Sequence, residues 1–292
     1  PETSRVTVEE IERAWKEREA AFTSAKVEWV EEYFIPKGGM SRLWAGAMGG
    51  KLAATMSPAG GPVPEADATF PVQGKMHLKG GRLFVERDGP DWVPSKGQFF
   101  ATTIRSAFDG KEYWTYLPEG AGDTRKPNGQ IHVGAVCGAA SETWYRPLLL
   151  SLRPLSPAFR QLPFSDVQLT GITLDIRGTR CIEAVHLVGG HAGSRGVYWL
   201  DPDRGYLALR VQTYARGKVS QQVDYEYDRL PSGLWAPKGW RIVAHVSGEE
   251  LTFSISAKVS SWEVTSEEPP RVSFPPATMV YDARKPEQQR FY

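Results

Sequence analysis

The sequence lacks any long hydrophobic run and contains only two cysteines. A helix that crosses a bilayer needs about 20 consecutive apolar residues, and no stretch of this chain approaches that length. An excess of charge of one sign is also missing, since 35 basic and 34 acidic residues leave a net charge of +1. A balanced surface of this kind favours neither nucleic acid nor an acidic membrane face as a partner. We therefore expect no membrane span and no nucleic-acid binding.

Motifs for catalysis and metal binding are missing as well. No G-x-S-x-G segment is present, so the local signature of one large class of hydrolases is absent. The Gly-rich segment 190–196 lies between two predicted strands, whereas a phosphate-binding loop needs a following helix N-terminus. The five histidines are scattered along the chain without the spacing of metal ligands. These motifs therefore give no local support to a hydrolase of that class, to a nucleotide-binding loop or to a metal site.

Adjacent carboxylates are abundant, but neighbours in sequence are not thereby placed across a cleft, as a pair of catalytic acids would need to be. We interpret these pairs as helix caps and solvated strand edges. They are Glu9–Glu10, Glu31–Glu32, Glu249–Glu250 and Glu267–Glu268.

The two cysteines leave two alternatives open. Cys137 and Cys181 lie far apart in the sequence and have no metal-ligand spacing. They either form a disulfide that closes a long loop, which an exported context would favour, or remain as two buried thiols. The first residue is Pro rather than Met, and a signal peptide removed on export is compatible with that start.

Alternating strands and tight turns dominate the second half of the chain. The clearest turn is 201–205, where Asp-Pro presets the backbone and Gly205 tolerates a positive φ. In the first half, Asp109-Gly110 is a strong hairpin signal. Strands that meander through polar turns predict one large antiparallel sheet. In the second half we expect strands at 196–200, 206–214, 219–229, 239–245 and 251–262.

Two helices are expected beside the sheet. Thr7 and Glu10 form a capping box, and apolar residues then recur at helical spacing to about Thr23. A second, short apolar helix is expected after Ser141, because a proline fits the first turn of a helix and Pro154 would end it.

The first strand is expected at Lys26–Ile35. Its alternation places Val27, Trp29, Glu31 and Tyr33 on one face. The next strands are expected at Lys75–Leu78 and Arg82–Arg87. We interpret residues 37–73, which are rich in Gly, Ala and Met, as an insertion or lid, and residues 263–292 as a C-terminal arm.

Two apolar stretches are candidate ligand-binding segments. Both are more apolar than an exposed segment should be. Methionines in the first would suit an adaptable lid over an apolar pocket, although a helix packed on the core explains the same spacing. The candidate residues are Met40, Leu43, Trp44, Met48, Leu52 and Met56 in the first stretch, and Trp144, Tyr145, Leu148, Leu149 and Leu152 in the second.

Taken in order, five short motifs resemble the LolA/LolB-like family of outer-membrane lipoprotein-sorting proteins. Each motif is weak alone, and their order along nearly the whole chain carries the resemblance. They are the segments 74–84 (GKMHLKGGRLF), 108–118 (FDGKEYWTYLP), 199–202 (WLDP), 235–238 (WAPK) and 274–282 (FPPATMVYD).

The resemblance implies one LolA-like domain over residues 1–292. Its α+β fold would be a single large curved antiparallel sheet, an unclosed barrel, that wraps helices on its concave face. The family carries the acyl chains of lipoproteins through the periplasm without catalysis or a cofactor. The resemblance thus implies a periplasmic or otherwise exported carrier or sensor, with lipid or lipoprotein acyl chains and some envelope proteins as partners.

Two other functions stay open from the residues alone. An envelope interaction module would fill its concavity with its own helices. An enzyme that acts on a bulky apolar substrate would carry convergent polar side chains in the same cavity.

Overall fold

The computed structural model of the chain describes residues 6–39, 66–93, 98–118, 126–134, 145–156, 167–187, 194–246 and 250–289. Within these ranges the helices are α1 (Val8–Ala21) and α2 (Arg146–Leu152). The strands of the first half are β1 (Ser24–Ile35), β2 (Ala68–Lys79), β3 (Arg82–Val93), β4 (Gln98–Phe108), β5 (Glu112–Leu117) and β6 (Asn128–Val133). Those of the second half are β7 (Val167–Ile176), β8 (Thr179–Leu187), β9 (Arg195–Asp201), β10 (Leu207–Ala215), β11 (Lys218–Arg229), β12 (Trp235–Val246), β13 (Glu250–Glu263) and β14 (Met279–Asp282).

These strands form one sheet, which confirms the predicted fold class. The strand order is β14-β6-β5-β4-β3-β2-β1-β13-β12-β11-β10-β9-β8-β7. Every strand pair whose register is defined is antiparallel except β14 with β6. Among the described strands, β14 and β7 lie at the two ends of this order and do not pair with each other, so the sheet that these strands form is open.

The chain divides into two compact units. Unit 1 consists of Pro1–Phe22 and Arg146–Glu250, and unit 2 consists of Thr23–Tyr145 and Leu251–Tyr292. Both described α-helices belong to unit 1, together with strands β7 to β12. Unit 2 holds strands β1 to β6, nearly all of β13, and β14.

In unit 1, local sequence signals set the ends of α1 and of the turn between β9 and β10. Thr7 caps α1, because its hydroxyl accepts a hydrogen bond from Glu10 N at 3.3 Å and its N–H donates to Glu10 Oε2 at 3.0 Å. The β9–β10 turn is held by Asp201, whose Oδ1 accepts from Asp203 N at 3.0 Å. Gly205 closes that turn with φ of +64°. The predicted capping box and turn are therefore confirmed.

In unit 2, β1 pairs with β2 over its whole length, from Ser24 opposite Lys79 to Ile35 opposite Ala68. The sequence pattern predicts this second strand only from Lys75, and in the structure the strand begins at Ala68. Pro71 and Gly74 caused the difference, since both residues weaken a strand prediction.

A C-terminal segment covers one face of β1 to β3 in unit 2. Lys26 Nζ binds Glu267 Oε2 at 2.6 Å, and Lys79 Nζ binds Glu268 Oε1 at 2.7 Å. The imidazole of His77 donates from Nε2 to the carbonyl oxygen of Glu267 at 3.1 Å, which leaves His77 buried on a face whose other residues are largely exposed. We call residues 264–268 the C-terminal strap.

Candidate functional site

The short helix α2 carries three of the predicted ligand-binding residues. Leu148, Leu149 and Leu152 are all buried, and α2 packs against β12 within unit 1. A helix of only two turns has little stability of its own, so this packing holds it in place. The predicted short apolar helix is therefore confirmed, with its leucines in the core of unit 1.

A polar relay ties α2 to the strands beneath it. The hydroxyl of Tyr227 donates to the carbonyl oxygen of Ala208 at 3.1 Å. Tyr227 has one hydroxyl hydrogen, so its 2.7 Å contact with Ser151 Oγ has the serine as donor. Burial raises the pKa of Tyr227 to about 12, which keeps this phenol neutral and able to donate.

Arginine side chains fasten α1 to the rest of unit 1. Arg153, just after α2, donates to the carbonyl oxygens of Glu19 at 3.2 Å and of Phe22, at the C-terminal end of α1. Arg18 donates to the carbonyl oxygen of Gly205 at 2.8 Å. The indole of Trp15 donates to the carbonyl oxygen of Tyr206 at 2.9 Å. Carbonyls at a helix end and in a turn are thereby satisfied.

A cavity of about 10 Å³ remains between α1, α2 and the strands of unit 1. A space of that size holds about one water molecule. Its lining includes Trp15, Arg18, Ser151, Tyr198, Tyr225 and Tyr227. The described helices and strands of unit 1 thus fill this region with their own side chains.

The remaining predicted site residues have two different outcomes. Tyr145 is buried and belongs to unit 2. The residues Met40, Leu43, Trp44, Met48, Leu52, Met56 and Trp144 lie outside the described residues, as does Cys137. The ligand-contacting role of all these residues stays a prediction.

Unit 2 contains a broad apolar sheet face. Two cross-strand rows define it, and all their members apart from the polar Ser106 are buried apolar residues. The first row runs Ala25, Leu78, Leu83, Phe108 and Tyr113 from β1 to β5, and the second runs Val27, Met76, Val85 and Ser106 from β1 to β4. We call this surface the apolar face of unit 2.

An acid lies on the same side of β1 as this apolar face. Glu31 is only 1% exposed, and its Oε1 accepts a hydrogen bond from the indole nitrogen of Trp29 at 2.8 Å. Among the described residues, its other oxygen, Oε2, has no hydrogen-bond partner. The sequence interpretation of the Glu31–Glu32 pair as a solvated edge is therefore wrong for Glu31 and holds for Glu32, which is exposed.

Burial and two neighbours set the ionisation of Glu31. Loss of hydration raises its pKa to about 7, while the hydrogen bond from Trp29 and the positive charge of Arg87 act in the opposite direction. Arg87 is itself buried. It lies one strand beyond Gly74 in the row Trp29–Gly74–Arg87. A buried acid with a perturbed pKa and a defined partner is a functional-site candidate.

One feature of the sequence indicates that this acid is buried. The alternation of β1 places Glu31 on the same face as Val27 and Trp29, both of which are buried. A charged residue in register with core residues predicts either a buried acid or a broken pattern. The hydrogen bond from Trp29, two residues away on the same face, could not be derived from the pattern alone.

The described residues show few other reactive groups. Cys181 is buried, and burial raises the pKa of its thiol to about 11. In the part of the chain that the structure covers, no group of three or more His, Cys, Asp or Glu side chains is placed to hold a metal ion. Neither of the described helices has the length and apolar character that a membrane crossing requires.

Comparisons with known proteins give matches among solved structures. No protein-family model and no curated protein matches the chain. A putative outer membrane lipoprotein-sorting protein domain from Vibrio parahaemolyticus is 14% identical, over 89% of this chain and 94% of that one, with a TM-score of 0.49. A DUF1329 family protein from Desulfovibrio piger is also 14% identical, over 89% and 92%, with a TM-score of 0.49.

A LolA superfamily protein from Nitrosomonas europaea is 13% identical, over 90% of this chain and 96% of that one, with a TM-score of 0.44. Lipoprotein-sorting and LolA proteins are thus among the chain's structural neighbours, as the sequence motifs predict. At this sequence identity and TM-score, the ligands and activities of these proteins are not assigned to this chain.

Proposed function

We propose that the protein is a non-catalytic binding protein of the bacterial cell envelope, located in the periplasm, that carries or senses the acyl chains of lipids or lipoproteins. The observation that carries this proposal is the apolar face of unit 2. The sequence resemblance to lipoprotein-sorting proteins supports the same class of ligand.

The dimensions and chemistry of the apolar face suit an acyl chain. Five neighbouring strands at a spacing of about 4.8 Å make a face roughly 19 Å wide. Apart from Ser106 its side chains are apolar, and they include Met76, whose flexible thioether adapts to irregular ligands. Each methylene that moves from water to such a surface contributes about 0.8 kcal/mol, so a long chain binds by many small gains without specific polar contacts.

The predicted apolar stripe is part of this proposal. In this proposal the residues that contact the acyl chain are Met40, Leu43, Trp44, Met48, Leu52, Met56, Trp144 and Tyr145. Leu148, Leu149 and Leu152 would join them only if α2 moved away from β12, because all three are buried in unit 1.

An interaction module without a ligand is the second candidate. The observation that favours it is the filled region of unit 1, where only about 10 Å³ remains between helices and strands. On this account the helices complete the core and the envelope partner is a protein. An enzyme acting on an apolar substrate is a third alternative, and it would change the ligand chemically.

Native mass spectrometry of the purified protein, followed by lipid extraction, tests the proposal. A carrier retains lipid that appears as added mass and is recovered unchanged after prolonged incubation with the protein. Absence of lipid, combined with failure to bind an apolar fluorophore such as pyrene, would leave the interaction module as the better account. Conversion of the recovered lipid into a new species would establish the enzyme.

A further inference from the structure

Only one of the two carboxyl oxygens of Glu31 has a hydrogen-bond partner among the described residues. One oxygen, Oε1, accepts from Trp29 Nε1 at 2.8 Å, and the other, Oε2, is buried without a partner among the described residues. Buried side-chain oxygens are nearly always hydrogen-bonded, so each exception calls for an explanation in water, an ion or a ligand.

The neighbours of Glu31 do not supply a donor to Oε2. The positive charge of buried Arg87 acts on the carboxyl group, but no hydrogen bond from a described residue reaches Oε2. In cross-strand register it lies opposite Val72 on β2 and Ala257 on β13, and neither side chain can donate a hydrogen bond. Trp29 has a single N–H, and that hydrogen is already used on Oε1. An unpaired carboxylate oxygen in such surroundings strongly destabilises the ionised form of the group.

The packing of Trp29 also fixes the position of this carboxyl group. Its indole lies over Gly74, where an added Cβ would come within 2.1 Å of ring atoms Cε2 and Cζ2. The glycine therefore makes room for the ring that holds Oε1. This arrangement fixes one oxygen and leaves the second buried without a partner among the described residues, on the same side of β1 as the apolar face.

We propose that Oε2 of Glu31 accepts a hydrogen bond from the polar head of the bound ligand, so that the site selects apolar chains that end in a hydroxyl or N–H donor. This inference rests on the proposed function, which places the chain itself on the apolar face of unit 2. It adds the position of the head group and the chemistry that the head must carry.

Two competitors that differ only in the donor test this selection. 1-Decanol and decyl methyl ether share the same alkyl chain, and only the alcohol has an O–H. At pH 8, each is titrated against the full-length protein loaded with pyrene, an apolar fluorophore without hydrogen-bonding groups. The measured quantity is the ratio of the two inhibition constants, ether over alcohol.

Glu31→Gln is the informative variant and Glu32→Gln is its matched control. Glu32 is the next residue on the same strand and is exposed. A hydrogen bond to a charged acceptor contributes enough to change affinity by about tenfold or more. The ratio should therefore fall about tenfold in Glu31→Gln and stay at the parent value in Glu32→Gln. Glu31→Met, which removes the acceptor and keeps the chain length, should give the same fall if the Gln variant does not fold.

Two results would overturn the inference, and they differ in what they say about the function. If pyrene and both competitors bind and the ratio is the same in the parent and in the Glu31 variants, an ordered water occupies the place of the head group and the acyl-chain proposal stands. If the parent binds neither pyrene nor either competitor, the proposed function fails, and the inference fails with it.

Discussion

The indole ring of Trp29 occupies the space that a side chain at Gly74 would need. The two residues face each other across β1 and β2, and a Cβ at Gly74 would lie 2.1 Å from the ring. This glycine is therefore required by a close approach, because the backbone conformation places no demand on it. The same contact directs the Trp29 N–H to Glu31.

Gly74→Ala is expected to destabilise the protein by about 1–3 kcal/mol, the usual cost of inserting a group into a packed core. Gly81→Ala is the matched control, since a Cβ there meets nothing within 4 Å. Urea unfolding followed by circular dichroism measures both. Equal unfolding midpoints for the two variants would show that Trp29 moves aside at little cost.

Glu31 should make the free energy of unfolding depend on pH. Its pKa is 4.5 when unperturbed and about 7 in the folded protein. Since the folded state holds the proton more tightly, its contribution is complete below pH 4.5 and is lost as the pH rises through 7. At 1.36 kcal/mol for each pKa unit, the parent should lose roughly 3 kcal/mol relative to Glu31→Gln across this window.

The difference in unfolding free energy between Glu31→Gln and the parent, measured by urea titration from pH 4 to pH 8, checks this expectation. Glu32→Gln should track the parent at every pH, because Glu32 is exposed. A flat difference for Glu31→Gln would mean that the pKa of Glu31 is the same in the folded protein as in the unfolded chain.

Trp15 anchors α1 through packing and one hydrogen bond. It is buried, and its indole nitrogen donates to Tyr206 O at 2.9 Å. Trp15→Ala should therefore cost about 3–5 kcal/mol, whereas Trp15→Phe should lose chiefly the hydrogen bond, at about 1 kcal/mol. The melting temperatures of the parent and the two variants should therefore fall in the order parent, Trp15→Phe, Trp15→Ala. A Trp15→Ala protein that melts with the parent would show α1 to be peripheral.

The C-terminal strap should release from its strands when its ion pairs are screened or removed. Glu267 and Glu268 bind half-buried lysines from exposed positions of their own, so high salt should speed tryptic cleavage after the exposed Arg271. The double variant Glu267→Gln, Glu268→Gln should be cleaved equally fast at low salt. Cleavage after Arg216, in the β10–β11 turn, provides an internal reference that should not change.

Cys181 should react slowly with thiol reagents in the folded protein. It is buried, and its pKa is raised to about 11, so little thiolate is present at pH 8. Counting thiols in unreduced, denatured protein then decides the pairing with Cys137. Two reactive thiols exclude a disulfide, and none establishes it.

Local signals predicted the elements of this fold better than their pairing. The capping box at Thr7 and the Asp201–Gly205 turn are determined by neighbouring residues, so the sequence sufficed for both. The alternation of β1 also placed Trp29 and Glu31 on the correct face. The fixed position of the Glu31 carboxyl was not predictable, because it depends on an indole that a glycine on another strand accommodates.

The pairing of strands that lie far apart in the sequence was not predictable either. β14 pairs in parallel with β6, with Met279 opposite Asn128, and no turn signal links segments so far apart. The burial of His77 likewise depends on Glu267 in the strap. Its sequence surroundings, on an otherwise exposed strand face, favour an accessible imidazole.

The pairing of β1 with β13 has a consequence for the synthesis of this protein. β1 lies near the start of the chain and β13 near its end, with all of α2 and β7 to β12 encoded between them. A growing polypeptide therefore cannot complete unit 2 until β13 has been synthesised, and pairing over such distances is intrinsically slow. Until then, β1 lacks one of its two neighbours in the sheet. Shortened chains that stop before β13 inherit the same exposed edge permanently, so they are the products most prone to proteolysis and aggregation.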